Sequence, residues 1–109
     1  MRKLSKIIAG LGLVLFATQS YAIDVHVQSS SSGIFALGYT VNGSKHGGLG
    51  KTYNGNGMPA GTYTFGLRSH GKDVGCLTKD GKKDIKINSN TMATYDFNGT
   101  SCTVSLAPM

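Results

Sequence analysis

Asp24 and His26 are the two side chains whose types and spacing best suit acid–base chemistry. They lie two positions apart in residues 23–28, where apolar and polar residues alternate as in a half-buried β-strand, so both fall on one face. Hydrolysis needs a base with an orienting partner and an activated nucleophile. Serines are plentiful in residues 29–32, but no nucleophile-elbow pattern surrounds them. We therefore expect a solvated edge strand here and no catalytic site.

Three histidines and one glycine-lysine-threonine sequence raise metal and nucleotide hypotheses. His26, His46 and His70 do not have the short mutual spacing of a strong metal site. Residues 50–52 imitate the end of a phosphate-binding loop, but that pattern requires a glycine five residues before Gly50, where Lys45 stands. The sequence therefore predicts neither a metal site nor a cofactor.

The two cysteines, Cys76 and Cys102, are 26 residues apart. A single pair in an exported protein usually forms one disulfide, and no Cys-x-x-Cys spacing suggests redox or metal chemistry. The sequence predicts a Cys76–Cys102 bridge that stabilises a small domain.

The first 22 residues have the pattern of a secretory leader. Residues 1–6 are basic, residues 7–17 are apolar, and Ser20-Tyr21-Ala22 is a small-x-small cleavage pattern. The apolar run is far shorter than the roughly 20 residues that span a bilayer, so no transmembrane anchor is expected. The compact leader is typical of bacteria. We expect residues 23–109 to be one domain, exported to the periplasm or the medium.

Basic residues form two clusters after the leader is removed. One lies in the glycine-rich segment 43–61, and the other surrounds the turn Asp80-Gly81. Such clusters can contact an anionic glycan or another anionic surface, whereas lysines also protect strand edges from pairing. Export and the single arginine of residues 23–109, Arg68, argue against nucleic acid. The candidate ligand-binding residues are Lys45, His46, Lys51, Tyr53, Lys79, Lys82, Lys83 and Lys86.

Short strands and tight turns must position these residues. All five acids are aspartate, and the chain contains 16 glycines, a composition that favours strands over helices. Segment 43–61, with seven glycines in 19 residues, is expected to hold at most one short strand. Alternation and turn signals predict the remaining strands at residues 23–28, 34–42, 62–69, 74–79, 82–88, 91–97 and 101–106.

Two of these segments carry specific expectations. Residues 34–42 should bury Phe35 together with Leu37, Tyr39 and Val41, because all four share one face. Residues 74–88 should form a hairpin across Asp80-Gly81, a strong two-residue turn signal.

Seven or eight short strands at this spacing predict an all-β domain with one disulfide. An antiparallel β-sandwich of the immunoglobulin-like or transthyretin-like kind is favoured, with a small barrel as the alternative. Residues 58–65, Met-Pro-Ala-Gly-Thr-Tyr-Thr-Phe, resemble the strand entry of transthyretin-like and carboxypeptidase-regulatory-like sandwich domains. That resemblance implies a sandwich and a binding or structural module, and it carries no site residues across.

The sequence therefore predicts a small exported bacterial protein that acts by binding and not by catalysis. Its partner would be a protein, a glycan or an anionic surface ligand, recognised through segment 43–61 and the lysine-rich segment 79–86. An inhibitor of another exported enzyme is one alternative. A small hydrolase that uses Asp24 and His26 is the other.

Overall fold

The computed structural model describes residues 22–109, which form nine β-strands. The leader lies outside the described residues except for Ala22, with which β1 begins. Within the described range no helix is long and apolar enough to cross a membrane. The strands are β1 Ala22–Ser29, β2 Ala36–Val41, β3 Ser44–Leu49, β4 Thr52–Pro59, β5 Gly61–Ser69, β6 Lys72–Leu77, β7 Asp84–Ile87, β8 Thr91–Phe97 and β9 Cys102–Pro108.

Hydrogen bonding joins the strands in the order β3-β2-β5-β6-β9-β8-β1-β4, and β7 also pairs with β5. The end strands β3 and β4 are consecutive in the chain and approach each other, so the path nearly closes into a barrel. We call β3, β2, β5, β6 and β7 the front half, and β9, β8, β1 and β4 the back half. The all-β prediction is confirmed, with nine strands in a path closer to the barrel alternative.

The sheet is mixed and not wholly antiparallel. Strand β1 runs parallel to β8, and the end of β6 runs parallel to β9. Both parallel pairs connect strands that are far apart in the chain, which is where crossover connections replace hairpins.

Alternate residues of the strands fill the barrel, as the period-2 pattern predicts. Tyr39 is buried among them, and its hydroxyl donates to the carbonyl oxygen of Val25 at 2.9 Å. A Cβ on Gly55 would lie 1.8 Å from that hydroxyl oxygen, so glycine makes room for it. The buried apolar residues are Ile23, Val25, Val27, Ile34, Leu37, Tyr39, Val41, Tyr63, Phe65, Leu67, Cys76, Ile87, Ala93, Tyr95, Phe97, Cys102 and Val104.

Cys76 and Cys102 form the predicted disulfide, which is therefore confirmed. The two residues are direct register partners of β6 and β9, with their Cα atoms 4.5 Å apart. The bridge thus fastens the front half to the last strand of the back half.

The hairpin predicted over residues 74–88 does not form. Strand β6 pairs with β5 at residues 66–69, then leaves it to join β9 at the disulfide. Strand β7 pairs with the other end of β5, at residues 61–64. The Asp80-Gly81 turn exists, with Gly81 N–H donating to the Thr78 carbonyl at 2.9 Å, but it redirects the chain between two neighbours of β5.

Segment 43–61 contains two strands, β3 and β4, where the sequence predicted at most one. Glycine weakens a strand by its entropy and missing side chain, but backbone ladders with β2 and β1 still form. Phe35 was also predicted to be buried and is 66% exposed. The chain bends at Phe35, whose carbonyl oxygen accepts the Gly50 N–H, and the preceding Ile34 is the residue that packs in the core. The alternation of β2 therefore does not extend back to Phe35.

Candidate functional site

The outer surface of the front half carries a groove of about 550 Å³ that crosses four strands. Its floor has no side chains, because the strand register aligns one glycine from each strand. Gly47 of β3 pairs with Gly38 of β2, Gly38 with Gly66 of β5, and Gly66 with Gly75 of β6. The flanking residues of these strands point into the barrel, so the glycine positions face outward.

Close packing of the backbone explains two of these glycines. A Cβ on Gly38 would lie 2.2 Å from the His46 carbonyl oxygen, and a Cβ on Gly47 would lie 2.7 Å from the Leu37 carbonyl oxygen. Strands β2 and β3 therefore approach too closely for any side chain at this level. At Gly66 the nearest atom, the Val74 carbonyl oxygen, would be 3.2 Å from a Cβ, which is a tight but smaller conflict.

Gly75 has no such packing requirement. A Cβ there would meet no atom within 4 Å, and its backbone lies outside the left-handed region that favours glycine. Glycine within a strand costs about 0.5–1 kcal/mol relative to alanine. Neither packing nor backbone conformation requires glycine at this position. Gly75 completes the row of four glycines and keeps the floor open at the β6 end of the groove.

Two rows of side chains form the walls of the groove. The first row runs from Leu49 across Ala36 and Arg68 to Asp73. The second row runs from Lys45 across Thr40 and Thr64 and continues to Asp84 of β7. Because the rows are four residues apart along each strand, they are separated by about 13 Å between Cα atoms.

Polar contacts hold both walls. In the first row, Arg68 Nη1 lies 2.9 Å from Asp73 Oδ1, and its Nη2 donates to the Gly71 carbonyl at 3.4 Å. In the second row, the Thr64 hydroxyl donates to Asp84 Oδ1 at 2.9 Å. The groove therefore has a floor of glycine backbone, an exposed leucine at one end, and hydrogen-bonding groups on both sides.

Charge is distributed unevenly between the two halves of the barrel. The strands of the back half contain no lysine or arginine and two acids, Asp24 and Asp96. The front half and its connections contain every lysine and arginine of the described chain, together with three acids, Asp73, Asp80 and Asp84. Those bases are Lys45, Lys51, Arg68, Lys72, Lys79, Lys82, Lys83 and Lys86.

The first predicted ligand cluster is divided by the structure. Lys45 stands on the groove wall, and Lys51 lies exposed in the turn between β3 and β4. His46 and Tyr53 pack against the core tyrosine Tyr39, each with its ring centroid 5.9 Å from that of Tyr39. His46 lies on β3 and Tyr53 on β4, so their rings help to pack the two end strands of the path against each other.

The second cluster lies at the other end of the front half. Lys86 is opposite Thr62 on the outer face, and Lys79, Lys82 and Lys83 belong to the exposed connection between β6 and β7. A hydrogen bond from the Thr78 hydroxyl lowers the pKa of Asp80, so this carboxyl stays ionised among the lysines. The groove runs between the two clusters.

Sequence reasoning missed the glycine row and Arg68. Gly38, Gly66 and Gly75 stand inside segments that otherwise read as strands, and isolated glycines there signal a close approach of another backbone or a ligand. That signal was present in the sequence. Nothing in the sequence indicated that these glycines would line up, because their alignment depends on how four strands pair.

The Asp24–His26 pair of the hydrolase hypothesis does not form a dyad. His26 Nε2 lies 2.9 Å from Asn56 Oδ1, and Asp24 Oδ1 accepts the backbone N–H of Gly57 at 3.3 Å. Both side chains thus bond to β4 and not to each other. In residues 22–109 no three histidine, cysteine or acidic side chains are grouped to hold a metal ion.

Comparison of the chain with protein-family models, with curated proteins and with solved structures gave no match.

Proposed function

We propose that this protein is an exported binding protein without catalytic activity, and that the groove on its front half is the ligand-binding surface. The disulfide is compatible with export, and the predicted leader would direct the chain to the periplasm or the medium.

Gly75 is the observation that carries this proposal. Packing accounts for the absence of side chains at Gly38 and Gly47, but nothing in the surrounding structure occupies the space that a Gly75 side chain would take. A strand residue that lowers stability without a packing reason is typical of a surface kept open for a ligand. The Arg68–Asp73 and Thr64–Asp84 contacts hold polar groups on both sides of that space.

Filling the groove tests the proposal. In the Gly75→Leu variant a side chain would cover the floor without a backbone clash. Ser105→Leu is the matched control, because Ser105 is an exposed strand residue of the back half. We would titrate the isotope-labelled, exported and oxidised protein with a soluble bacterial envelope extract and follow the amide signals of the four glycines.

The expected result is that the extract shifts the glycine signals of the wild type and the Ser105→Leu variant and has no effect on the Gly75→Leu variant. If the Gly75→Leu variant responds like the wild type, the groove is not the binding surface. Thermal melting of each variant shows whether it is folded.

A further inference from the structure

We infer that the groove binds a linear carboxylated glycan, one chain of which lies across the four strands. This inference rests on the proposed function. The sugar rings would lie on the glycine floor, their hydroxyl groups would reach Thr40 and Thr64, and their carboxylates would reach Lys45 and Arg68.

The dimensions of the groove select a thin ligand. The two walls are about 13 Å apart between Cα atoms, and side chains from both walls narrow the space further. An α-helix is about 10–12 Å across with its side chains and therefore does not reach the floor. Crossing three strand spacings, the groove is about 14 Å long, which suits one extended chain of small rings.

The chemistry of the floor favours a glycan over a peptide strand. The backbones of β3, β2, β5 and β6 pair with one another along the glycine row. An extended peptide laid across them has no free ladder to join, although backbone hydrogen bonds are the main source of affinity in strand addition. A sugar ring presents C–H groups on its faces and hydroxyls on its edges, which matches a floor of glycine methylenes between polar walls.

Both walls contribute groups suited to a charged glycan. Lys45 is exposed on one wall, and Arg68 stands on the other with two of its five N–H groups engaged by Asp73 and the Gly71 carbonyl. The remaining donors of a guanidinium suit a carboxylate well. At the β3 end, Leu49 is 88% exposed and offers apolar contact to a ring face.

The charge of the whole front half complements a polyanion. Every lysine and arginine of the described chain lies on this half or its connections, while the strands of the back half contain two aspartates and neither lysine nor arginine. Such an asymmetry steers an anionic chain to the front surface. Lys82 and Lys83 precede Asp84 and extend the basic surface beyond the β6 end of the groove.

Two aspartates belong to the walls: Asp84 ends the second row beside Thr64, and Asp73 lines the groove itself next to Arg68. Asp73 provides a test with a distinctive sign. Its carboxylate holds Arg68 and repels an anionic ligand. In Asp73→Asn the repulsion disappears and the guanidinium is released. We expect this variant to bind a carboxylated glycan about two- to fivefold more tightly, the range of a single exposed charge contact.

Calorimetric titration of the exported protein with a short oligogalacturonate measures the inference directly. The methyl-esterified oligomer keeps the sugar chain and removes its charge, and poly-glutamate keeps the charge and removes the sugar. We expect oligogalacturonate to bind about tenfold or more tightly than either control at low salt. Lys45→Gln and Arg68→Gln should each weaken its binding about two- to fivefold, and Gly75→Leu should abolish it.

If the methyl ester binds as tightly as oligogalacturonate, the ligand does not need to be charged. If poly-glutamate binds as tightly, the ligand does not need to be a glycan. Absence of oligogalacturonate binding, or its persistence in the Gly75→Leu variant, would overturn the inference as a whole. If oligogalacturonate does not bind while Gly75→Leu still blocks the response to the envelope extract, only the ligand class is wrong. If the extract response also survives in that variant, the proposed function fails.

Discussion

The hydroxyl of Tyr95 donates a hydrogen bond to the carbonyl oxygen of Gly38, 57 residues away in the chain. Tyr95 belongs to the back half of the barrel, and Gly38 belongs to the groove floor in the front half. The bond crosses the core and supports the floor from beneath. The groove is therefore linked directly to the packing of the opposite half.

Loss of this bond should destabilise the protein and disturb the floor. Tyr95→Phe removes the hydroxyl and leaves the partly buried Gly38 carbonyl with one hydrogen bond fewer, which costs about 1–2 kcal/mol. Urea denaturation measures that cost. Tyr63→Phe is the comparison, since it removes a hydroxyl that bonds to the Pro59 carbonyl away from the groove. Only Tyr95→Phe should also shift the Gly38 and Gly66 amide signals, and an equal shift in both variants would contradict the role assigned to Tyr95.

Stability should fall in alkaline solution because of the buried tyrosines. Burial raises the pKa of Tyr39, Tyr63 and Tyr95 in the folded protein above the value of about 10 that tyrosine has in an unfolded chain. Their contribution is therefore complete below about pH 10 and is lost above it, by up to about 1.4 kcal/mol per pH unit for each tyrosine. Thermal melting between about pH 9 and pH 11 measures the fall. Tyr95→Phe should reduce its slope, and an unchanged slope would count against burial of Tyr95 as its cause.

Two glycines of one row should respond oppositely to alanine. Gly38→Ala places a Cβ against the His46 carbonyl oxygen and should destabilise the fold by about 2 kcal/mol or more. Gly75→Ala meets open space and should stabilise it by about 0.5–1 kcal/mol. Equilibrium unfolding of the two variants checks both signs. Destabilisation by Gly75→Ala would show that this glycine has a structural role after all.

Removing the disulfide should cost a large part of the stability. The bridge closes a loop of 26 residues, for which loop-closure entropy gives about 3.5 kcal/mol. The double variant Cys76→Ser with Cys102→Ser should show this loss in urea denaturation. Mild reduction of the wild type should lower its melting temperature in the same direction. A reduced protein that melts like the oxidised one would contradict the prediction.

The lysines beyond the groove should affect affinity and salt dependence without affecting folding. Replacing Lys79, Lys82, Lys83 and Lys86 by Gln leaves Ile85 and Ile87 in place, and exposed substitutions usually cost within about 0.5 kcal/mol each. Oligogalacturonate binding should weaken about tenfold at low salt and less at high salt, because exposed charges are screened over roughly 8 Å at physiological ionic strength. Unchanged affinity would leave these lysines as protection for the edge of β7.

The sequence by itself determined the all-β class, the inward faces of most strands and the disulfide. These features are local or nearly so: alternation places Tyr63, Phe65 and Leu67 on one side of a strand whatever its neighbours are, and an isolated pair of cysteines leaves one pairing. The sequence also made Lys45 a candidate binding residue from its basic neighbourhood, and that role stays a prediction.

Only the tertiary structure decided which strands are neighbours. Every backbone offers the same hydrogen-bonding groups, so a strand does not specify its neighbour. The Asp80-Gly81 turn indicated a hairpin between β6 and β7. In the structure β6 instead leaves β5 to pair with β9, and β7 pairs with the other end of β5. The groove depends on that choice, because Gly38, Gly47, Gly66 and Gly75 form a floor only when four strands pair in one register. A single glycine lowers the stability of its strand, whereas four glycines in register across neighbouring strands leave a surface without side chains.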